Sequence, residues 1–253
     1  MLTLFTLLFN NDNDIFKFMK TKFIVAQDII KMLEADGIYS ATGRITMELN
    51  GIAVVCKQHD TIGNLLQEWL CNYLKHKGIY FRMPESQKFP DFYLSESNLT
   101  GLCEMKAYLY PRSPAFDVAN FQTYIRSLRE HPERLDTDYL IVNYTSTDGK
   151  IGIRQMWLKK VWNITGPAEG YALKCQRKNR QLVNIRPATW MSNKSKFPPF
   201  NDPLLFLRAI AETIQNESNS RDEAKKWLKD VVDGYQSVLP KGALSSILRG
   251  MKL

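Results

Sequence analysis

Apolar and polar residues follow two different periods along this chain. Apolar residues three or four positions apart predict amphipathic helices, because that spacing places them on one face of a helix. Such helices are predicted at residues 23–35, 60–77, 116–130, 203–214 and 221–238, with a shorter helical segment at 158–162. Apolar residues that alternate with polar ones, or that form short continuous runs, predict strands. Strands are predicted at residues 79–83, 88–94, 101–109, 139–142 and 151–157.

Three turn signals predict hairpins within this pattern. Asn50-Gly51 interrupts an alternating stretch, and this dipeptide is typical of a tight two-residue turn. Asp148-Gly149 separates two predicted strands in the same way. Residues 176–180 join a third pair of predicted arms, at 171–175 and 181–185. Since helices and strands interleave, we expect an α/β protein with helical and hairpin additions.

The stretch from Lys88 to Leu109 carries the most specific chemistry. Its two predicted strands are joined by polar residues and Gly101, so they are expected to form a hairpin. Side chains alternate across a strand, so Glu104 and Lys106 share one face, with Asp91 on the partner strand. Two carboxylates and a lysine would supply hard oxygen ligands for Mg²⁺ and a cation close to a reacting phosphate. The alternative is an ordinary amphipathic hairpin with a solvated Glu–Lys pair.

Pro90-Asp91, followed after twelve residues by Glu104-Met105-Lys106, resembles the active-site motif of the PD-(D/E)xK nuclease superfamily, which includes type II restriction endonucleases. The resemblance covers residues 60–145. It implies a central mixed β-sheet with an αβββαβ restriction-endonuclease-like core, flanked by helices and extra β-hairpins. It also implies that Asp91, Glu104 and the backbone carbonyl of Met105 bind Mg²⁺, and that Lys106 orients the attacking water.

Two further candidate residues lie on predicted helices beside these strands. Many enzymes of the superfamily carry an extra acid on the helix before the strands, and Glu68 lies on the matching helix here. The resemblance therefore suggests Glu68 as an additional metal ligand. Gln122, on the helix after the Lys106 strand, is a candidate helper. For both residues the alternative is a solvated position on the helix surface.

The chain has 253 residues and a net charge of +8, and its positive charge is concentrated in one part. Residues 150–201 contain eleven Lys and Arg but a single acid, Glu169. A solvated surface normally mixes both signs, so this block indicates a polyanionic partner, most simply double-stranded DNA. The candidate DNA-binding residues are Arg112, Arg177, Lys178, Asn179, Arg180, Gln181, Asn193, Lys194 and Lys196. The alternative is contact with phosphates without base reading.

Composition and patterning predict one domain over residues 1–253, without repeats or low-complexity segments, and the resemblance implies that it is a nuclease domain. A hydrophobic content of 44 % and a charged content of 24 % are those of a globular protein. Four parts are expected within the domain. They are an N-terminal helix and hairpin at 1–59, the catalytic core at 60–145, the basic block at 150–201 and C-terminal helices at 202–253.

Several features bear on the compartment. The four cysteines are scattered, which indicates reduced thiols rather than a zinc site or a redox motif. Residues 1–9 are apolar, but they have no basic leader and no small-residue cleavage site, so a signal peptide is not expected. No apolar run is long enough to span a membrane. We therefore expect a cytoplasmic protein that does not associate with membranes, with Met1 and Met19 as alternative starts.

Taken together, the resemblance implies a Mg²⁺-dependent type II restriction endonuclease. Such an enzyme would act as a homodimer on a short palindromic duplex site, beside a cognate DNA methyltransferase in the same system. Residues 157–162 and Asn184-Ile185-Arg186-Pro187 also resemble the type II subgroup that recognises GGNNCC. Two alternatives stay open, namely another PD-(D/E)xK enzyme such as a repair or junction nuclease, and a basic nucleic-acid-binding protein without catalysis. Plasmid cleavage with and without Mg²⁺ distinguishes the last from the others.

Overall fold

A computed structural model describes residues 21–55, 61–85, 89–192 and 194–238. Its helices are α1 (Ala26–Ala35), α2 (Ile62–His76), α3 (Phe121–Glu130), α4 (Pro203–Ser218) and α5 (Arg221–Val238). Its strands are β1 (Thr42–Arg44), β2 (Thr46–Leu49), β3 (Ile52–Val55), β4 (Phe92–Tyr93), β5 (Leu102–Leu109), β6 (Ala119–Asn120), β7 (Asp138–Thr147), β8 (Lys150–Lys160), β9 (Cys175–Lys178) and β10 (Gln181–Ile185). Short 3₁₀ turns span Pro132–Asp136 and Val161–Ile164.

The central sheet has five strands in the order β1-β8-β7-β5-β4. Strands β5 and β7 run parallel, and the other neighbouring pairs are antiparallel. The expected mixed sheet of an α/β protein is therefore confirmed. The middle strand, β7, is buried over six consecutive residues, because helices cover both faces of the sheet at this position.

Alternate residues of β7 contribute to two separate hydrophobic clusters. Tyr139 and Ile141 face the cluster formed with α3, α4 and α5. Leu140 and Val142 face the cluster formed with α1 and α2. Strand β5 follows the same alternation. Met105 packs towards α2, while Tyr108 packs towards α3, so Glu104 and Lys106 lie on the α3 side of the sheet.

Helix α2 approaches the sheet closely at a glycine. A Cβ atom added at Gly63 would lie 3.9 Å from the Cβ atom of Ala107 on β5. Leu66, Leu70 and Leu74 continue the buried stripe of this helix. The apolar spacing also predicts Trp69 in the core, but its side chain is 43 % exposed, because it lies beyond the edge of the buried stripe.

The predicted hairpins have tight turns with left-handed backbone conformations. Asn50 and Gly51 have φ angles of 50° and 75°, and Asp148 and Gly149 have φ angles of 50° and 77°. These values are those of a type I′ turn, which Asn-Gly and Asp-Gly adopt readily. The β9–β10 hairpin has a shorter turn than predicted. Residues Asn179 and Arg180 alone connect its strands, and both have positive φ angles.

Several predicted boundaries differ from the structure. Helix α4 continues to Ser218 instead of ending at residue 214, and the strand predicted at 88–94 is reduced to β4, at Phe92–Tyr93.

Three further boundaries also differ. Helix α3 begins at Phe121 rather than residue 116, because Ala119 and Asn120 pair with β10 and the Asn120 side chain caps the helix. Residues 158–160 continue β8 rather than forming a helix, because they pair with residues 138–140 of β7. The first arm of the third hairpin is β9, at Cys175–Lys178, and not residues 171–175.

The strand predicted at 79–83 is reduced to isolated bridges. Arg82 pairs with Tyr93 through two backbone hydrogen bonds of 2.9 and 3.0 Å, and Ile79 forms a bridge with Lys22. The αβββαβ order is thus retained with a minimal first strand. The predictions for residues 1–9, for Met19 and for residues 239–253 lie outside the described residues. Among the described residues, no helix is long and apolar enough to cross a membrane.

Candidate active site

The β4–β5 hairpin brings Asp91 and Glu104 together. Phe92 pairs with Cys103 in antiparallel register, so Asp91 lies beside Glu104 at the next position along the two strands. Gly101 closes the turn before β5 with a φ angle of 68°. A Cβ atom added there would lie 3.1 Å from the backbone nitrogen of Ser95. This turn therefore needs glycine for both its conformation and its space.

Two reciprocal hydrogen bonds fix the carboxylates. The backbone N–H of Asp91 donates to Oε2 of Glu104 over 3.2 Å. The backbone N–H of Met105 donates to Oδ2 of Asp91 over 2.7 Å. Each strand thus holds the acidic side chain of the other with a backbone donor. We call this pair of bonds the reciprocal clamp.

Lys106 completes the cluster on the same face. Its Nζ atom lies 2.8 Å from Oε1 of Glu104, and the lysine side chain is 21 % exposed. The ammonium group is therefore held by the glutamate while remaining accessible from outside. The structure brings together Asp91, Glu104 and Lys106, the three residues of the sequence motif.

Burial makes the ionised forms of both acids unfavourable. Desolvation raises the pKa of Glu104, against the opposing effect of Lys106, and the nearby charge of Asp91 raises it further. Desolvation also raises the pKa of Asp91, although the hydrogen bonds from Met105 and Gln67 and the charge of Lys106 act in the opposite direction. A cation placed beside these carboxylates would offset the same unfavourable charge.

Tyr139 accounts for part of this burial, although the sequence pattern predicts it only as a residue of a strand and not as part of the site. It lies directly beside Glu104 in the parallel β5–β7 register. Its side chain is fully buried, and its ring contacts that of Phe89 at a centroid distance of 6.4 Å. An apolar wall beside the carboxylate excludes water and so raises the pKa of Glu104. In the sequence, the continuous apolar run of β7 predicts that Tyr139 is buried, but it does not show that Glu104 lies beside it.

The donor set fits a magnesium ion. Within the described parts of the chain, no three His, Cys, Asp or Glu side chains form a metal-binding group. Mg²⁺ commonly binds one or two protein carboxylates and completes its shell with water and phosphate oxygens. The backbone carbonyl of Met105 would be a further hard oxygen donor. The N–H of the same residue binds Asp91, and the N–H and C=O groups of a strand residue are directed to the same neighbouring strand.

Helix α2 contributes a different residue from the one predicted. The side chain of Gln67 hydrogen-bonds to Asp91. Glu68 is exposed, and its backbone oxygen accepts a hydrogen bond from Asn72. Gln67 lies one helical turn after Gly63, on the side of α2 that meets β5, and this side is visible only once the approach of Gly63 to β5 is known.

Gln122 lies away from the acidic pair. Its exposed side chain lines a surface groove of about 180 Å³ between α3, α4 and α5, together with Arg126, Glu223 and Trp227. Since this groove lies on the outer side of α3, the structure does not bring Gln122 to Glu104. Its suggested role as a helper therefore has no support from this arrangement.

The candidate DNA-binding residues differ in their availability. The side chains of Lys178, Asn179, Arg180, Gln181, Lys194 and Arg112 are exposed. Arg177 instead forms a 2.5 Å ion pair with Glu217 on α4 and lies over the ring of Tyr171. Lys196 pairs with Glu169 over 3.0 Å, with both side chains largely exposed. Asn193 lies outside the described residues.

Comparison with known proteins identifies the family. A family profile described as NgoBV restriction endonuclease matches residues 23–246. The chain belongs to this family of restriction endonucleases. It is 37 % identical over 218 residues to the type II restriction enzyme NlaIV of Neisseria lactamica, covering 84 % of this chain and 90 % of that protein. The type II restriction enzyme NgoBV of Neisseria gonorrhoeae is 34 % identical over 163 residues, which are 63 % of this chain and 93 % of that protein.

The fold comparison agrees with the sequence comparison. A solved structure of the NlaIV restriction endonuclease superposes with a TM-score of 0.80 at 35 % identity, covering 86 % of this chain and 91 % of that one. The chain is therefore a type II restriction enzyme by family, a class of enzymes that cut DNA at a specific site. Neither comparison assigns a role to an individual residue.

The raised pKa values predict how a substitution at Glu104 affects stability. A carboxyl group with a raised pKa stabilises the fold most at acidic pH, and this contribution is lost as pH rises through the raised value. The Gln side chain in Glu104→Gln has the shape of the protonated glutamate and stays uncharged at every pH. In EDTA, the free energy of unfolding of this variant relative to wild type should therefore increase between pH 4.5 and pH 8. The increase should exceed the effect of an ordinary surface substitution, which is about 0.5 kcal/mol. Urea denaturation across this range measures it.

A matched control for this prediction is Glu96→Gln, which changes an exposed glutamate in the turn before β5. Its stability difference from wild type should stay nearly constant over the same pH range. If the Glu104→Gln difference is equally flat, the buried carboxyl does not carry the unfavourable charge inferred above.

The contact between Gln67 and Asp91 predicts which α2 residue supports the site. Gln67→Leu keeps the volume but removes the hydrogen bond. For a Mg²⁺-dependent reaction in which Asp91 binds the ion, the Mg²⁺ concentration for half-maximal cleavage should then rise about tenfold, as is usual when a ligand loses its supporting partner. Glu68→Gln should change this concentration less than twofold. A metal titration of cleavage rates compares the two variants directly, and the reverse ranking would favour Glu68 as the additional metal ligand.

Proposed function

We propose that this chain is a Mg²⁺-dependent endonuclease of the PD-(D/E)xK superfamily that cuts both strands of duplex DNA at a short palindromic site. The single observation that carries the proposal is the reciprocal clamp, which holds Asp91 and Glu104 beside each other on adjacent strands. Family membership supports cleavage at a specific site. The donor chemistry of the clamp supports the metal.

Each residue of the cluster has a separate task in this proposal. Asp91, Glu104 and the carbonyl of Met105 would hold the ion. When bound, Mg²⁺ supplies Lewis acidity towards the phosphate and lowers the pKa of a water molecule. Lys106 orients the attacking water and offsets negative charge on the phosphate. Its 2.8 Å contact with Glu104 supports this task, because the contact fixes the ammonium group before substrate binds.

The proposed substrate is a palindromic duplex site, with GGNNCC as its sequence. The resemblance of residues 157–162 and Asn184-Ile185-Arg186-Pro187 to the subgroup reading that site supports this choice. A cognate methyltransferase in the same system would protect the host copies of the site. Mapping cut ends on a plasmid of known sequence tests the site, and methylating the site before digestion tests the protection.

We infer that two copies of the chain act together. A palindrome repeats the same bases on both strands about a twofold axis, and a homodimer matches that symmetry with one catalytic cluster for each strand. The β2–β3 hairpin offers a surface for the contact. Met47, Leu49, Ile52 and Val54 share one face of it and are between 52 % and 71 % exposed. Large apolar side chains grouped in this way usually mark an interface.

The role of Lys106 is tested by its loss. Lys106→Ala should lower the single-turnover cleavage rate at saturating Mg²⁺ by a factor of 10² or more, on the order of 3 kcal/mol of transition-state stabilisation. Lys106→Arg should recover only part of it, because a planar guanidinium does not occupy the position of a compact ammonium. Lys225→Ala, on the exposed side of α5, is the control and should match wild type. A Lys106→Ala rate within about threefold of wild type would remove Lys106 from the mechanism.

The dimer is tested on the two faces of one hairpin. Leu49→Glu places a charge on the apolar face and should convert a dimer into a monomer in light scattering after gel filtration. Glu48→Lys changes the charge on the opposite face, where Glu48 pairs with Ala53, and should leave the dimer intact. If Leu49→Glu stays dimeric, the contact lies on another surface, and a wild-type monomer on cognate DNA would remove the symmetric arrangement altogether.

A further inference from the structure

The small sheet β6-β10-β9 carries a row of amide side chains. Asn184 on β10 pairs in register with Asn120 on β6 and with Gln176 on β9. The next residues along the strands, Ile185 and Cys175, belong to or pack against the hydrophobic cluster beneath the sheet. Because side chains alternate across a strand, the amide row lies on the outer face of this sheet.

The hydrogen bonds of the row leave a defined pair of groups free. Asn120 uses both ends of its amide within the protein, since its oxygen accepts from the N–H of Thr123 and its nitrogen donates to the oxygen of Val183. Asn184 Nδ2 donates to Gln176 Oε1 over 3.3 Å. Nε2 of Gln176 and Oδ1 of Asn184 have no partner among the described residues. The linked pair therefore presents one donor amide beside one acceptor oxygen.

The hairpin that carries the pair is held firmly in place. Arg177 joins β9 to Glu217 on α4, and Arg186, just after β10, pairs with Asp117. The register shifts between Leu182 and Asn184, so one extra residue twists β10 immediately before the pair. Such bulges redirect the side chains that follow them. The amides are therefore presented from a hairpin that is joined by ion pairs to α4 and to the segment before β6.

The surroundings of the pair suit a nucleic acid. Lys178 and Arg180 at the tip of the hairpin are exposed, and neither forms an ion pair within the described part of the chain. Ile185, on the inner face of the same sheet, belongs to the hydrophobic cluster that also contains Tyr108, and Tyr108 follows Glu104 and Lys106 on the same face of β5. The hairpin is thus attached on the side of the central sheet that carries the catalytic cluster.

We propose that the Gln176–Asn184 pair reads a G·C base pair in the major groove, with Lys178 and Arg180 contacting phosphates beside it. The proposal rests on the proposed function and deepens it. Guanine presents N7 and O6 as acceptors in the major groove and cytosine presents N4 as a donor, which complement the free Nε2 and Oδ1 atoms. A two-stranded β-ribbon fits the width of that groove.

The test combines a change to the Gln176 side chain with the removal of one acceptor atom from the DNA. Duplexes carrying the mapped site are made with each guanine in turn replaced by 7-deazaguanine, which lacks the N7 acceptor, and cleavage and equilibrium binding are both measured. For the wild type, one replacement should lower kcat/KM on the order of tenfold. Gln176→Ala should lower kcat/KM by a similar factor on the natural duplex and lose sensitivity to that same replacement.

Two control variants distinguish a loss of base recognition from a loss of folded structure. Gln155→Ala removes an exposed amide on β8 and should keep the wild-type sensitivity at every position. Gln176→Glu keeps the size of the side chain but exchanges the donor for an acceptor, so it should discriminate against guanine even where the alanine variant is unstable. Unfolding temperatures of the variants identify any loss of structure.

The outcomes distinguish this proposal from the proposed function. If Gln176→Ala and wild type respond equally to every replacement, the pair does not read guanine and the proposal is overturned, whether or not the enzyme cuts. If the wild type cuts no duplex in Mg²⁺, the proposed function fails. Base reading is then decided by binding measurements on a GGNNCC duplex, in which the same loss of sensitivity supports the proposal and its absence overturns it.

Discussion

The reciprocal clamp between Asp91 and the Glu104–Met105 segment is the constraint on which the site depends. A hairpin normally orients side chains only through its backbone ladder. Here each carboxylate also accepts a backbone N–H from the opposite strand, over 3.2 and 2.7 Å, so the two acidic groups are fixed relative to the strands and to each other. Strand β5 is held in turn by its long parallel pairing with β7. The positions of the two carboxylates are therefore determined by the central sheet.

The burial of these carboxylates is unfavourable for the stability of the fold. Desolvation raises the pKa of both acids, and Tyr139 beside Glu104 helps to exclude the water that would otherwise solvate it. Burying charge in this way is unfavourable for folding. In the proposed function this position is an advantage, because a bound cation would interact more strongly with carboxylates that water screens poorly. The surrounding apolar clusters on both faces of the sheet offset that unfavourable term.

Much of the fold and the centre of the site could be predicted from the sequence, because both depend on local signals. The Asn50-Gly51 turn and the alternation that places Glu104 and Lys106 on one face are properties of a few adjacent residues. Contacts between distant segments were less accessible. Nothing local distinguishes Gln67 from Glu68, and only the approach of Gly63 to β5 decides which of them meets Asp91. Likewise, helix α3 starts late because Ala119 and Asn120 pair with β10, more than sixty residues away.

The basic block illustrates why a count of charges does not locate a DNA contact. Arg177 and Arg186 belong to the excess of positive charge, but each is paired with an acid from another segment and serves to fix the β9–β10 hairpin. Lys178 and Arg180 lie on the same hairpin and remain exposed. In the proposed recognition of a G·C pair, a hairpin fixed in this way would lose less conformational entropy on binding DNA than a mobile one. The two ion pairs would then support recognition without contacting the DNA themselves.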